Sequence, residues 1–247
     1  MPDYHSSIVF CLAGIGKRFT DKGIIQPKYL LDVNGKSLIE ESILNLNITK
    51  NNFVVFMCNK KHLDHENHLK NICKQLRLNF KIIYIDDTNG QADTALEASK
   101  TLINFISLRE KPVIFFNGDT ILKSRNINDL IFKLSNFDGL IDTFPSNKNC
   151  YSYIKTNKHI VTEIEEKITI SNDATSGLYI FSSPRMYCEQ YFHGKFDQKK
   201  EETYISEIYK FMIINGMKVV QNKTFIKNDT IVLGTYDQYQ AFIKNEI

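Results

Sequence analysis

Ile8-Val9-Phe10-Cys11-Leu12-Ala13-Gly14-Ile15-Gly16-Lys17-Arg18-Phe19, followed after a short gap by Pro27-Lys28-Tyr29-Leu30, is the stretch on which the fold turns. An apolar run bounded by a glycine turn reads as a buried strand. Glycines at 14 and 16 let the backbone bend with no Cβ in the way. They aim successive N–H groups into one concavity, a shape that holds phosphate oxygens. Arg18 and Lys28 supply the positive charge that such a hollow needs. A lone Gly-x-Gly after a strand is equally a plain tight turn, so the reading depends on what the rest of the chain adds.

Outward from this stretch, β-rich apolar runs at 8–13, 53–58, 80–85 and 113–116 alternate with helical patterns near 37–47, 61–77 and 92–107. Such alternation marks βαβ units and a parallel sheet. Ser37 and Glu40 have the Ser-x-x-Glu spacing of a capping box, which predicts that Ser37 caps the first helix. The second half has strand-like runs at 139–144, 151–155, 159–164 and 177–182 and helical patterns near 184–192 and 203–215. A last strand over 230–233 and a helix over 237–244 follow. Strand signals without intervening helices predict antiparallel strands and an inserted lobe. The expected fold is α/β: a Rossmann-like, mixed, mostly parallel sheet flanked by helices, with a small antiparallel lobe. No linker or repeat divides the chain, so 1–247 is expected to be one domain.

Composition narrows the function. A net charge of +3 over 247 residues is too small for a nucleic-acid partner, so any anion site is local. No apolar stretch approaches a membrane span and no signal-like segment opens the chain, so a cytoplasmic protein with no membrane partner is expected. The cysteines at 11, 58, 73, 150 and 188 show no Cys-x-x-Cys spacing, which speaks against a disulfide framework or a zinc site.

Three further stretches carry chemistry. The fourth strand ends in Asn117-Gly118-Asp119-Thr120. In an open α/β sheet ligands gather beyond the carboxyl ends of the strands, which places Asp119 beside the glycine turn, as a metal ligand or as part of an Asx-type turn. Gly90-Gln91-Ala92 opens a helix with small residues, leaving room for a flat ring that Gln91 could hydrogen-bond; close packing on the sheet is the alternative. Glu166-Lys167 precedes the apolar strand Gly177-Leu178-Tyr179-Ile180-Phe181; alone it is a solvated strand end. Cys58, His62, His65 and His68 form a loose stripe for which a hydrated helix face is the expected reading over a metal site.

In this order, the stretches resemble the nucleotidylyltransferases that make activated sugars. Gly14-Ile15-Gly16-Lys17-Arg18 with Pro27-Lys28 is similar to their N-terminal signature, Gly90-Gln91-Ala92 to the base-facing loop, and Gly118-Asp119 to the metal-binding turn. Glu166-Lys167 resembles their acceptor-gripping pair, 202–209 their late helix, and Gly234-Thr235 their closing turn. The chain departs from the family at Leu12, where many members have Ala, and at Val232-Leu233, where a second metal-binding Asp often stands. Asp119 then holds the metal with waters and phosphates only, or Asp229 or Asp237 substitutes. No C-terminal β-helix repeat is present, so a short form is expected.

The resemblance implies transfer of a nucleoside monophosphate from an NTP to a phosphate monoester, with release of pyrophosphate and with Mg²⁺ as cofactor. It assigns Arg18, Lys28 and Asp119 to catalysis, with Asp119 on the metal. Leu12, Ala13, Gly14, Gly16, Lys17, Gly90, Gln91, Asn117 and Gly118 face the nucleotide. Tyr153, Glu166, Lys167, Thr175 and Gly177 face the acceptor. Residues 1–120 form the nucleotide half and 121–247 the acceptor half. A sugar 1-phosphate is the leading acceptor; phosphocholine, a phosphorylated amino acid or a polyol phosphate with CTP is the alternative. The base (CTP, dTTP or UTP) stays open, as does the oligomeric state, with a homodimer among the options. Lys-, Asn-, Ile- and Phe-rich composition without Trp fits an AT-rich bacterial genome, where such enzymes feed surface polysaccharides. A glycosyltransferase and a non-catalytic nucleotide-sensing module are the rival readings.

Overall fold

The computed structural model describes residues 4–194, 202–226 and 228–244. In the first half β1 (Ser6–Leu12) leads into the short helix α1 (Lys17–Thr20), the hairpin β2 (Asp32–Val33) and β3 (Lys36–Ser37), and α2 (Leu38–Asn45). Then come β4 (Asn52–Asn59), α3 (Glu66–Gln75), β5 (Asn79–Ile85), α4 (Gln91–Ile103), β6 (Val113–Phe116) and β7 (Thr120–Leu122). The second half runs through α5 (Ile127–Leu134), β8 (Gly139–Pro145), β9 (Ser152–Asn157), β10 (Ile160–Glu166), β11 (Asp173–Phe181) and α6 (Pro184–His193). It closes with α7 (Ile205–Ile214), β12 (Val219–Lys223), β13 (Thr230–Val232) and α8 (Tyr236–Ile243).

Nine strands form one sheet in the order β5-β4-β1-β6-β11-β8-β12-β10-β9. The pairings of β5, β4, β1 and β6 are parallel, as the alternation predicts. Only β11 and β10 run against the common direction, since β12 pairs parallel to β8 while β10 is antiparallel to both β12 and β9. The antiparallel strands therefore extend the same sheet. β13 pairs with β7 in a separate two-stranded ribbon. Helix α5 and strand β12 fall outside the pattern read from sequence.

Alternation along β1 explains the two core layers. Ile8, Phe10 and Leu12 point to one face, where Ile39, Ile43, Leu69, Ile72 and Leu130 cover them. Val9 points to the other, under Ala92, Ala95, Leu102, Tyr187 and Ile208. Tyr209 stitches that second layer by donating its hydroxyl to Ile180 O at 2.6 Å and Leu140 O at 3.1 Å. Cys58, Cys73 and Cys188 are buried thiols, Cys11 is half-buried, and Cys150 is exposed. Among the described residues no helix is long and apolar enough to cross a membrane.

Two local expectations are corrected. Ser37 stands at the N-cap of α2 but makes no cap bond; its hydroxyl lies 3.0 Å from His68 Nε2. The helical pattern at 61–77 divides into a 3₁₀ segment, Lys60–His65, and α3. His62 is buried against the edge of Tyr29, with ring centroids 5.7 Å apart, so it does not belong to a hydrated face. Burial holds His62 below the ordinary histidine value and pushes the Cys58 thiol up to about 12.

Candidate active site

The site is built around the turn that follows β6. Gly118 sits at φ +66, and a Cβ there would come within 3.0 Å of Leu12 Cδ2, so the turn needs a glycine. The turn delivers Asp119, whose Oδ2 accepts from Lys28 Nζ at 2.7 Å. Lys28 comes from a 3₁₀ turn entered at Pro27, with Leu30 N donating to Pro27 O at 2.9 Å. Burial on its own would raise the Asp119 carboxyl. The Lys28 ammonium, aided by the Thr120 hydroxyl, outweighs it and holds the carboxyl below its ordinary value. Leu233 N donates to Asp119 O at 2.8 Å, bringing Gly234 so close that a Cβ would stand 3.0 Å from Asp119 Oδ2.

One flank is the start of α4. Gly90, at φ +107, presses on residues 202–203: a Cβ would meet Thr203 O at 2.6 Å. Thr203 N donates to Asn89 O at 2.6 Å and Ala92 N to Thr203 O at 3.1 Å, so the segment that carries Glu202 and Tyr204 is bound to the helix start. Gln91 Nε2 is buried with no partner among the described residues, leaving a donor for a ligand.

The opposite flank comes from β9, β10 and β11. Glu166 Oε2 accepts from Ser206 Oγ at 2.7 Å and from Ser152 Oγ. Lys167 Nζ donates to Tyr204 OH at 2.5 Å and lies over its ring, and Tyr204 OH in turn donates to Glu202. Thr175 Oγ1 and Tyr179 OH are 2.9 Å apart; burial, reinforced by Glu166, pushes the Tyr179 hydroxyl up to about 12. Gly177, at φ +83, places its backbone where a Cβ would meet Asn117 Nδ2 at 2.9 Å, which seats the second half of the chain on the first.

These flanks enclose one cavity of about 240 Å³. Arg18, Lys28, Gln91, Asn117 and Asp119 line it from the first half, and Glu166, Lys167, Thr175 and Gly177 from the second. Arg18 has no ion-pair partner among the described residues. Leu12, Ala13, Gly14, Gly16, Lys17, Gly90 and Gly118 do not line the cavity: Leu12 packs against Gly118, Gly90 abuts residues 202–203, Gly16 stands at the N-cap of α1, which carries Arg18, and Lys17 is exposed. Tyr153 is a correction: it is fully buried and its hydroxyl donates to Lys148 O at 2.6 Å. Ser152, its neighbour on β9, faces the cavity instead, because adjacent strand residues point to opposite faces. Tyr151, Ser176, Tyr179, Glu202, Tyr204 and Gln238 also line the cavity, none of them given a role in the sequence reading. Tyr179, Glu202 and Tyr204 do lie inside stretches the resemblance covers.

Asp229 and Asp237 do not join Asp119. Asp229 is buried on Arg125, at 2.6 Å, and Asp237 lies on the neighbouring cavity lined by Lys123 and Phe144. Among the described residues no group of three or more His, Cys, Asp or Glu is placed to hold a metal, the Cys58–His68 stripe included. Asp119 still fits a hard cation as a single carboxylate ligand. Its Oδ1 accepts from the Thr120 hydroxyl at 3.2 Å, and the missing Cβ of Gly234 keeps the space beside Oδ2 open. Mg²⁺ commonly takes one or two carboxylates and fills its other positions with water and phosphate oxygens.

The cavity lies at the carboxyl ends of the parallel strands, where open α/β sheets bind ligands, with Arg18 and Lys28 on one flank and Glu166 and Lys167 on the other. Residues 9–239 match the family model described as nucleotidyl transferase. The chain belongs to that family and is a nucleotidyltransferase. It is similar to the nucleoside-diphosphate-sugar pyrophosphorylase from Vibrio cholerae RC9, at 25% identity and TM-score 0.83, over 96% of this chain and 99% of that one. It is also similar to a UDP-glucose pyrophosphorylase complexed with UDP-glucose, at 15% identity and TM-score 0.76, over 98% of both chains. The inositol-1-phosphate CTP transferase from T. maritima matches at 13% identity and TM-score 0.72, over 98% of this chain and 96% of that one. The latter two likenesses show the fold alone. A search of curated proteins finds no match by sequence.

Proposed function

We propose that the protein transfers a nucleoside monophosphate from an NTP to a phosphate monoester, most plainly a sugar 1-phosphate, giving a diphosphate-linked precursor of the kind that feeds surface polysaccharides. The observation that carries this reading is the convergence of Arg18, Lys28 and Asp119 on one cavity with Glu166 and Lys167. An acceptor phosphate oxygen attacks the α-phosphorus, a new P–O bond forms, the bond to the oxygen bridging to the β-phosphate breaks, and pyrophosphate leaves. The acceptor phosphate is largely dianionic near neutral pH and attacks without a general base.

The task left to the chain is to hold two polyanions within about 3.5 Å and to offset their repulsion, which can account for several kcal/mol of the barrier. Arg18 grips the triphosphate, with Lys17 as an outlying cation. Lys28 bridges the reacting phosphates from its place on Asp119. Gln91 offers its unpaired amide to the base edge, beside the backbone of Leu12 and Gly90. Asn117, Thr175 and Gly177 line the route to the acceptor, Lys167 meets its phosphate and Glu166 its body. Mg²⁺, bound at Asp119, would supply charge neutralisation at the α-phosphate. The pyrophosphorylase similar at 25% identity supports the sugar reading.

A second reading has a phosphorylated amine as acceptor, with CTP as donor. It is favoured by Tyr151, Tyr179 and Tyr204 together with Glu166 and Glu202 in the wall, a mix of aromatic faces and carboxylates suited to an ammonium group. A matrix of CTP, dTTP, UTP, ATP and GTP against sugar 1-phosphates, phosphocholine, polyol phosphates and phosphorylated amino acids, read by Mg²⁺-dependent pyrophosphate release, separates the two. Release with no acceptor in the matrix would remove both.

A further inference from the structure

Behind the cavity lies a buried ionic network for which the mechanism has no use. Arg125, Asp142 and Asp229 are 3%, 0% and 3% exposed, and none of the three lines the cavity. Arg125 Nε donates to Asp142 Oδ1 and Oδ2 at 3.2 and 3.3 Å. Its Nη1 donates to Asp229 Oδ2 at 2.6 Å and to Lys123 O at 3.0 Å, and its Nη2 donates to Thr230 Oγ1 at 2.8 Å. One guanidinium faces two carboxylates, so the cluster is a costly way to stabilise a core; buried ion pairs of this kind are better attested as devices that set register.

Both ends of the network reach the active site. At one end Asp229 and Lys123 close the β7–β13 ribbon, with Lys123 N donating to Asp229 O at 2.8 Å; the other end of that ribbon is the bond from Leu233 N to Asp119 O. At the other end Ser176 Oγ donates to Asp142 Oδ2 at 2.6 Å. Ser176 lies in a bulge: Thr175 pairs with Thr143 and Tyr179 with Ile141, so 176–178 stand opposite Asp142 alone. Asn222 Nδ2 fills Asp142 Oδ1 at 2.5 Å. The bulge holds Thr175 and Gly177 in the acceptor wall, and bulges commonly re-aim residues beside active sites.

We propose that Arg125, Asp142, Asp229 and Ser176 form a positioning network that fixes the acceptor-side bulge of β11 relative to the Asp119 turn, and so sets the separation of the two bound reactants. The charged members act through Ser176 and the ribbon, without touching substrate. Its effect on turnover rests on the function proposed above; the mechanical coupling does not.

The test combines Ser176→Ala, Ser176→Thr, Asp229→Asn and the double variant Ser176→Ala/Asp229→Asn, each assayed with the best NTP–acceptor pair. Each alanine or asparagine variant is expected to lower kcat/KM for the acceptor about tenfold, within the range of coupling along a packed network. The double variant falls by about the same tenfold, and Ser176→Thr recovers most of the loss. Additive losses, or wild-type kcat/KM in Ser176→Ala, overturn the proposal; Arg125→Lys replaces Asp229→Asn if that chain does not fold. Hydrogen exchange on the free protein gives a readout that needs no acceptor. Asp229→Asn is expected to speed exchange over 173–179 as well as 119–123, and a change confined to 224–233 overturns the coupling. Absence of pyrophosphate release from the wild type with that exchange pattern intact would instead count against the proposed function alone.

Discussion

Lys28 and Asp119 lie 91 residues apart in sequence and meet at 2.7 Å. The pairing makes the charge state of the carboxylate conditional on the lysine. Because the Asp119 value is depressed in the fold, the stabilisation from the pair is fully present above the ordinary carboxylate range and is lost only as pH falls through the depressed value. Removing the ammonium leaves burial, which raises the carboxyl. Lys28→Met is therefore expected to move the acid limb of the pH profile of kcat/KM to higher pH, beyond its loss of rate; an unmoved limb would show that Lys28 does not control Asp119. Arg18, exposed and unpaired among the described residues, has no structural partner to abandon. Arg18→Ala should lower kcat by about a hundredfold, the scale of losing one electrostatic contact in a transition state, with an unchanged thermal melt. A wild-type kcat would take Arg18 out of the triphosphate site.

At the scale of elements, the start of α4 shows how a backbone constraint becomes a binding wall. Gly90 combines φ +107 with a backbone oxygen that would stand 2.6 Å from any Cβ, so neither the conformation nor the space admits a side chain. Gly90→Ala is expected to destabilise the protein by about 1–3 kcal/mol, read as a lower urea midpoint. It should also weaken nucleotide binding, because Gln91 and the 202–204 segment are displaced together. An unaltered midpoint with unaltered affinity would mean that the loop relaxes freely. Sequence showed that Gly90 opens a helix. It held no sign of Thr203, the residue that makes the glycine obligatory, because that contact comes from the far end of the chain.

The whole molecule is organised by one sheet. β6 of the first half of the chain pairs directly with β11 of the second, and Gly177 is seated on Asn117 across the same boundary. Separating the halves would unpair β6 from Leu178–Phe181 of β11 and open both core layers. A fragment of residues 1–120 should therefore fail to fold, and the full chain should unfold in urea as one transition, with fluorescence and far-ultraviolet circular dichroism superimposing. A soluble, cooperatively folded 1–120 fragment would show that the halves are separate domains. Strand alternation sets the limit of sequence reading at this scale: on β9 Ser152 faces the cavity and Tyr153 the core, a choice of face that depends on which side of the sheet closes over the strand.

The sequence by itself determined the parallel half, through the period-two runs and their alternation with helical patterns, and the identity of the charged groups, through the glycine turn, Pro27-Lys28 and Gly118-Asp119. These are local signals, carried by backbone sterics and hydrophobic periodicity. The tertiary structure alone decided that β10 and β11 extend the same sheet, that Asp229 belongs to Arg125 and is not placed beside Asp119, and that Tyr204 joins Lys167 at the cavity wall. Those outcomes depend on which distant segments share the same space, and a buried charge is committed only when its partner arrives.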